Sequence, residues 1–232
     1  MKELGIITIN FERPQILKLW CSQITRLRND TQVFFPAVVV SEEEDKTTCQ
    51  RHGIGHITFP NEPVTAKFNE AFRFMRTQGV DYVMILGSDD VISTVLLQNT
   101  FALMEEDIDV MGLQTLYFYG GDGVERGNLY RLDRPSQAGL LGIAKTVSRK
   151  ILDQCDWILW NKKKNSGMDA IAQKTINDYA TSRAVVQGMA VDVKTRKNLN
   201  SIRVWNKRLP KINPQEFYNI LSEEELLILR NL

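Results

Sequence analysis

Two carboxylates stand side by side at Asp89 and Asp90, where the run Tyr82-Val83-Met84-Ile85-Leu86 stops at Gly87-Ser88. The run is apolar or aromatic without alternation, the pattern of a strand buried on both faces in a parallel or mixed sheet. In open α/β sheets, ligands bind at the carboxyl ends of such strands. Adjacent carboxylates repel unless protons or a cation intervene. Hard divalent cations such as Mg or Mn prefer carboxylate oxygen and bridge it to phosphate. A plain turn accounts for the same residues without any ligand, because Gly, Ser and Asp all form turns readily.

Other groups could serve the same edge. Thr8, Asn10 and Arg13 fall in a polar loop behind the β-rich residues 4–9, where they either touch a ligand or build an ordinary βα turn. Glu42 ends a second apolar run, while Glu43, Glu44 and Asp45 read as a solvated acidic loop. Lys67 and Asn69 sit near the start of a helix, where the dipole favours anions and a lysine adds a point charge for a phosphate. Asp192 and Lys194 alternate with Val191 and Val193, so both project from one face of a strand, about 7 Å apart. They form either a plain ion pair or a metal ligand beside a phosphate binder. Asp169 follows Ser166 by three residues, which makes it either part of a capping box or a general base. His52 and His56 are four apart, but a glycine on each side of Ile54 argues against the helix that would make them a metal pair.

These groups need a scaffold, and periodicity supplies one. A strand over 4–9 leads to a helix with Pro14 in its first turn and Leu17, Trp20, Ile24 and Leu27 at helical spacing. Strands follow over 33–40, where Pro36 suits an edge or an irregular start, and over 56–59. Phe68, Ala71, Phe72 and Met75 mark a helix ending near Gly79. A helix over 93–104, a strand over 108–113, and a hairpin from 117–119 through Gly120-Gly121-Asp122-Gly123 to 128–132 come next. Gly139 and Gly142 either let backbone approach a ligand or form a tight strand entry. Val147, Ile151 and Cys155 suggest a helix, Lys162-Lys163-Lys164-Asn165 a basic loop, and Met168, Ala172, Ile176 and Tyr179 one face of a further helix. Residues 184–195 read as the last strand. Caps at Asn213 and Ser222 open two short helices, and the apolar run 226–229 either packs on the domain or meets a partner.

The totals limit the choices. A chain of 232 residues suits one large α/β domain or at most two small ones. A formal charge of +1 gives no global pull toward nucleic acid or an anionic membrane. Three cysteines without paired spacing disfavour a disulfide framework or a zinc site and point to a reducing compartment. No signal-peptide pattern opens the chain and no apolar run approaches a membrane span, so a cytoplasmic location is expected. There is no Gly-x-Gly-x-x-Gly fingerprint, P-loop or Gly-x-Ser-x-Gly elbow, which removes the simplest dehydrogenase, NTPase and hydrolase readings.

The ordered set Thr8-Ile9-Asn10-Phe11-Glu12-Arg13-Pro14, Lys67-Phe68-Asn69-Glu70-Ala71, the stretch 81–90, residues 139–160 and Gly167-Met168-Asp169 resembles the inverting glycosyltransferases of the GT-A fold, family 2-like relatives of cellulose and chitin synthases and of many surface-polysaccharide transferases. The resemblance covers most of residues 4–195. It implies a Rossmann-like α/β/α sandwich with a mostly parallel mixed sheet and a short helical C-terminal tail. Residues 1–107 would form the nucleotide-sugar half, 108–212 the acceptor half, and 213–232 the tail. Thr8, Asn10, Arg13, Glu42, Lys67, Asn69, Ser88, Asp89 and Lys194 would line the nucleotide-sugar donor. Asp89, Asp90 and Asp192 would hold Mn or Mg, and Asp169 matches the general base. Gly87 stands where the first aspartate of the family's Asp-x-Asp motif is usually found. The implied partners are a nucleotide-diphosphate sugar and a glycan, lipid-linked or protein acceptor, with no nucleic acid, and a homo-oligomer through the C-terminal helices is conceivable. A sugar-nucleotide nucleotidyltransferase and a catalytically silent nucleotide- or sugar-binding domain are the alternatives.

Overall fold

A computed structural model describes residues 1–135, 139–165, 167–197 and 208–232. In chain order the first elements are β1 (Leu4–Ile9), α1 (Pro14–Thr31), β2 (Ala37–Ser41), α2 (Lys46–Arg51), β3 (Gly55–Thr58), α3 (Val64–Gln78), β4 (Tyr82–Ile85), β5 (Asp90–Ile92) and α4 (Thr94–Glu105). They are followed by β6 (Val110–Gly112), β7 (Thr115–Gly120), β8 (Leu129–Asp133), β9 (Lys145–Ser148), α5 (Arg149–Gln154) and α6 (Met168–Tyr179). The chain ends with β10 (Arg183–Val185), β11 (Ala190–Lys194), β12 (Lys211–Ile212), α7 (Gln215–Tyr218) and α8 (Glu223–Arg230).

A seven-stranded sheet runs in the order β10-β6-β9-β4-β1-β2-β3, and a five-stranded sheet in the order β12-β8-β7-β11-β5. In the first, β3, β2, β1 and β4 are parallel, and β9 alone runs against its neighbours β4 and β6. This is the mostly parallel mixed sheet expected. β1, β2 and β4 are nearly continuous apolar runs because helices cover both faces. Ile6, Val39 and Met84 pack with Trp20 and Ile24 of α1, whereas Ile7, Val40 and Val83 pack with Phe72 and Met75 of α3.

The α3 helix ends at Gly79 in the left-handed region, as the sequence suggests, and Ser93, read from the sequence as the first helical residue, caps α4 by accepting from the Leu96 N–H. Four expectations change. The second strand begins at Ala37 rather than at residue 33, since Pro36 has no N–H to give a ladder. Val147 belongs to a strand, β9, wedged between β4 and β6, and Ser148 caps α5 behind it. The stretch 184–195 is two strands in two different sheets. The chain crosses between them at Gly188, whose φ of +140° no side chain favours and whose Cβ would lie 2.5 Å from the Leu96 Cβ. Tyr179 is exposed, so the buried face of α6 is carried by Ala172 and Ile176.

The tail packs on the domain. Phe217 and Leu229 are buried with Ile16 and Leu19 of α1, and α8 opens on a complete capping box between Ser222 and Glu225. Glu225 is fully buried and accepts from the Arg26 Nε at 2.8 Å. Leu227 is the exposed large apolar side chain of α8.

Candidate active site

The carboxyl ends of β1 and β4 open into a cleft of about 460 Å³. Asn10, Arg13, Lys67, Ser88, Asp89, Asp90, Asp169, Asp192 and Lys194 all line it. Residues spread over 185 positions of sequence thus meet at one edge (Asn10 to Lys194).

Asp89 and Asp90 sit in the turn that carries the chain from β4 into β5. The Asp90 N–H donates to the Gly87 carbonyl at 3.0 Å, and its carboxylate folds back to accept from the Gly87 N–H at 2.6 Å. Gln23, fully buried on α1, donates to the Asp90 carbonyl and accepts from the Ile92 N–H, which fixes β5. Across the sheet Asp192 pairs in register with Asp90. Asp89, Asp90 and Asp192 each offer an oxygen, and these lie within 4.8 Å of one another, a group that could hold a metal ion.

Charge in this group is poorly shielded by water. Burial, then the charges of Asp89 and Asp192, hold the Asp90 carboxyl well above the usual carboxylate range. Burial and Asp89 also raise Asp192, against the pull of Lys194, whose Nζ lies 2.5 Å from the Asp192 Oδ2. Burial pushes Lys194 down, but Asp192 and Asp89 outweigh it and raise the ammonium. Three close carboxylates with Lys194 and Arg13 paired to them suit oxygen-loving divalent cations. The Asp192 Oδ1 is buried without a hydrogen-bond partner, as a ligand atom would be.

A cationic wall faces them. Arg13 reaches Asp89 Oδ2 at 3.1 Å and donates to the Ser88 Oγ at 2.7 Å. Lys67 is 1% exposed, and its Nζ donates to the Asn10 carbonyl at 2.7 Å and the Asn61 side chain at 3.3 Å. Burial pushes Lys67 down to about 8, with Glu42 and Asp45 pulling the other way. Asn10 is held by Asp45, which accepts from its Nδ2 at 2.8 Å, while the Asn10 Oδ1 is buried without a partner. Asp45 is therefore buried, not part of a solvated acidic loop; Glu43 and Glu44 are exposed as expected. His52 and His56 bond separately to Thr25 and Ser41.

Asp169 is the second residue of α6 and is exposed at the cleft wall. Ser166 lies outside the described residues. The capping-box alternative needs Ser166 and so falls outside the described residues with it; the residue before α6 is Gly167, in the left-handed region. Gly142 makes room for the carboxylate: a Cβ there would lie 2.3 Å from Asp169 Oδ1. Beneath, the buried Lys145 ammonium donates to Gln173 on the next turn; burial lowers it and the nearby Asp169 charge offsets part of that.

Thr8, Glu42 and Asn69 do not line the cleft. Thr8 is fully buried within β1, and Glu42 acts on Lys67 only through its charge. Asn69 donates to the Trp160 carbonyl at 2.8 Å and supports the segment before α6. Sequence reasoning missed Lys197, which lines the cleft and donates to the Glu12 carbonyl at 3.0 Å, and missed the supporting pair Gln23 and Asp45. None of the three carries a local signal: Lys197 lies past the end of β11 and off the alternation of Asp192 and Lys194.

No family model matches the sequence, and no curated protein matches it. Solved structures do. S. aureus TarS superposes over 94% of this chain with a TM-score of 0.60 at 15% identity, and the chain spans 38% of TarS. Glucosyl-3-phosphoglycerate synthase from Mycobacterium tuberculosis, solved with Mn2+, UDP and glucosyl-3-phosphoglycerate, covers 86% of this chain and 73% of its own, at 11% identity and a TM-score of 0.54. The fold is GT-A. A third likeness is 4-diphosphocytidyl-2C-methyl-D-erythritol synthase from Anaerococcus prevotii, at 11% identity and a TM-score of 0.52, over 99% of this chain and 97% of that one. No helix among the described residues is long and apolar enough to cross a membrane.

Proposed function

We propose that the chain is a glycosyltransferase that moves a sugar from a nucleotide-diphosphate donor to an acceptor hydroxyl by a single inverting displacement. What supports this reading is that Arg13, Lys67 and Lys194, the acidic group Asp89, Asp90 and Asp192, and the exposed Asp169 all line one cleft. Arg13, Lys67 and Lys194 supply positive charge for the diphosphate at one end, with Ser88 and Asn10 as polar contacts. Asp169 at the other end takes the proton from the acceptor hydroxyl, whose oxygen attacks the anomeric carbon as the bond to the diphosphate breaks. Asp89, Asp90 and Asp192 are the residues that would hold a divalent cation, Mn or Mg. When bound, such an ion neutralises charge building on the leaving diphosphate. Mn2+ in the mycobacterial relative supports this assignment.

In this reading residues 1–107 contribute most of the donor side, 108–212 most of the acceptor side, and 213–232 a tail that braces α1. The free thiols Cys21, Cys49 and Cys155 support work in a reducing compartment such as the cytoplasm. A role in polysaccharide assembly follows only from the resemblance. The likeness to the diphosphocytidyl-methylerythritol synthase favours nucleotidyl transfer as a second reading. The β1–α1 loop argues for glycosyl transfer, because residues 8–13 contain no glycine to wrap a triphosphate.

Calorimetric titration of UDP and GDP, with and without Mn, tests the donor end and chooses the base. Binding should depend on Mn and be lost in Asp89→Ala. Asp169→Asn should keep that binding and lower Mn-dependent turnover of the matching nucleotide-sugar by about 10²- to 10⁴-fold. Binding of neither nucleotide under any condition would sink the assignment and favour a silent domain.

A further inference from the structure

A second cavity, about 410 Å³, lies on the far side of the segment that leads into α6. Arg73, Lys162 and Lys163 line it, with Trp160 and Asn161, and no carboxylate among the described residues does. Lys162 and Lys163 are exposed and make no ion pair among the described residues; Arg73 gives one N–H to Glu70 at 2.9 Å. Three cations around one concavity, with one acid beside them, make a local anion site in a chain whose formal charge is only +1.

Its walls are built, not loose. The Thr65 N–H donates to the Lys164 carbonyl at 3.1 Å, and the Lys164 N–H donates to the Thr65 Oγ1 at 3.0 Å, so the basic loop is clipped to the first turn of α3. Asn165 accepts from the Val64 N–H at 3.0 Å and extends that clip. Trp160 is packed on Phe68 and Phe72, with ring centroids 5.1 and 5.9 Å away. Its indole Nε1–H donates to the Met168 carbonyl at 3.0 Å, one residue before Asp169.

The two cavities therefore share a wall. Val64, Phe68 and Asn165 face the cleft, while Thr65, Asn69 and Lys163 face the second pocket. The basic pocket thus lies against the segment carrying Trp160, whose indole holds the Met168 carbonyl next to Asp169. We propose that this pocket is a subsite for a phosphate group carried by the acceptor, so that the acceptor is an anionic molecule. The proposal rests on the reading of Asp169 as the base, which makes this side of the cleft the acceptor side.

The test is nuclear magnetic resonance of the full chain, isotope-labelled with ¹⁵N and titrated with inorganic phosphate, in wild type and in Lys162→Gln/Lys163→Gln. The Trp160 indole and the amides of 161–163 should shift saturably, and the double variant should weaken that binding about tenfold or more. Titration of the UDP or GDP that binds wild type should give the same affinity in both proteins, which shows the variant folded and the cleft intact. Arg73→Gln, on α3 and outside the loop, should weaken phosphate binding as well. Absence of phosphate shifts at Trp160, or unchanged phosphate affinity in the double variant, overturns the subsite. Phosphate binding as expected, in a protein that binds no nucleotide, overturns the transfer reading and with it the acceptor role.

Discussion

Gly142→Ala is the sharpest probe of the proposed base, because it moves Asp169 without replacing it. The new Cβ would lie 2.3 Å from Asp169 Oδ1 and 2.6 Å from its Cγ, against about 3.4 Å for ordinary contact. The carboxylate must retreat by 3.4 − 2.3, or about 1.1 Å. It is exposed and can swing into solvent, so the retreat costs the fold little. Gly142 does not have a positive φ, which leaves alanine no backbone strain to pay. A base displaced by about 1 Å costs on the order of 10²-fold in rate. Mn-dependent release of nucleoside diphosphate from the matching nucleotide-sugar should therefore fall about 100-fold, with nucleotide affinity within about twofold of wild type. The melting temperature should hold or rise slightly, since a compatible Gly→Ala change stabilises by about 0.4–1 kcal/mol. In an Asp169→Asn background the same substitution should cost little more, because the group it displaces no longer works as a base. Wild-type turnover in Gly142→Ala, or losses that add in the double variant, would refute the reasoning.

Other perturbations reach other parts of the molecule. Nucleotide affinity should fall as pH rises through about 8, where Lys67 loses its charge. The same depressed pKa makes the folded chain gain stability between about pH 8 and 10.5, because the unfolded lysine keeps its proton longer, so weaker binding there is not a sign of unfolding. Calorimetry at pH 8.5 in two buffers of different ionisation enthalpy should show proton uptake on binding, absent in Lys67→Met; equal heats would count against a role for that ammonium. Gly87→Asp, which restores the familiar first aspartate of the motif, should weaken Mn binding at least tenfold in a calorimetric titration, since its Cβ would lie 2.6 Å from Asp90 Oδ2. Tighter Mn binding in that variant would show that Gly87 is a lost ligand. Arg26→Ala leaves the Glu225 carboxylate buried, without a cation and held only by the Ser222 N–H among the described residues, a change that costs about 3–5 kcal/mol and should lower the melting temperature by on the order of 10 °C; a shift under about 2 °C would show that the tail is braced by its apolar contacts alone.

What the sequence displays, and what it hides, follows from how each feature is encoded. The parallel strands are legible because burial on both faces demands unbroken apolar runs such as 82–86, and α3 because Phe68, Phe72 and Met75 must face one sheet. Val147 misleads because three apolar residues at spacings of four fit a helix, while the strand they interrupt is only four residues long. Residues 184–195 mislead because a crossing between two sheets leaves no mark except Gly188. Asp45 and Gln23 hide for another reason: each supports the site through a partner about 35 or more positions away, Asn10 and Asp90, and no local pattern registers such a pairing.

The acidic stretch at 87–90 shows where motif and site part company. Read along the chain, Gly87 is a missing ligand, and a missing ligand argues for a silent domain. In three dimensions the space that a side chain at Gly87 would use is already filled by the Asp90 carboxylate, which turns back onto the Gly87 N–H. Gly87 and Asp90 are thus a single arrangement: the glycine is what lets the later aspartate enter, and Asp192, in register with Asp90 on β11, completes the acidic group. The argument has a direct consequence for Asp90→Ala. If Asp90 supplies what Gly87 lacks, that variant should lose Mn affinity as severely as Asp89→Ala, and Gly87→Asp/Asp90→Ala should recover part of it. Calorimetric Mn affinities for the three variants decide it, and an Asp90→Ala protein that binds Mn like wild type would leave Gly87 a true vacancy in the motif.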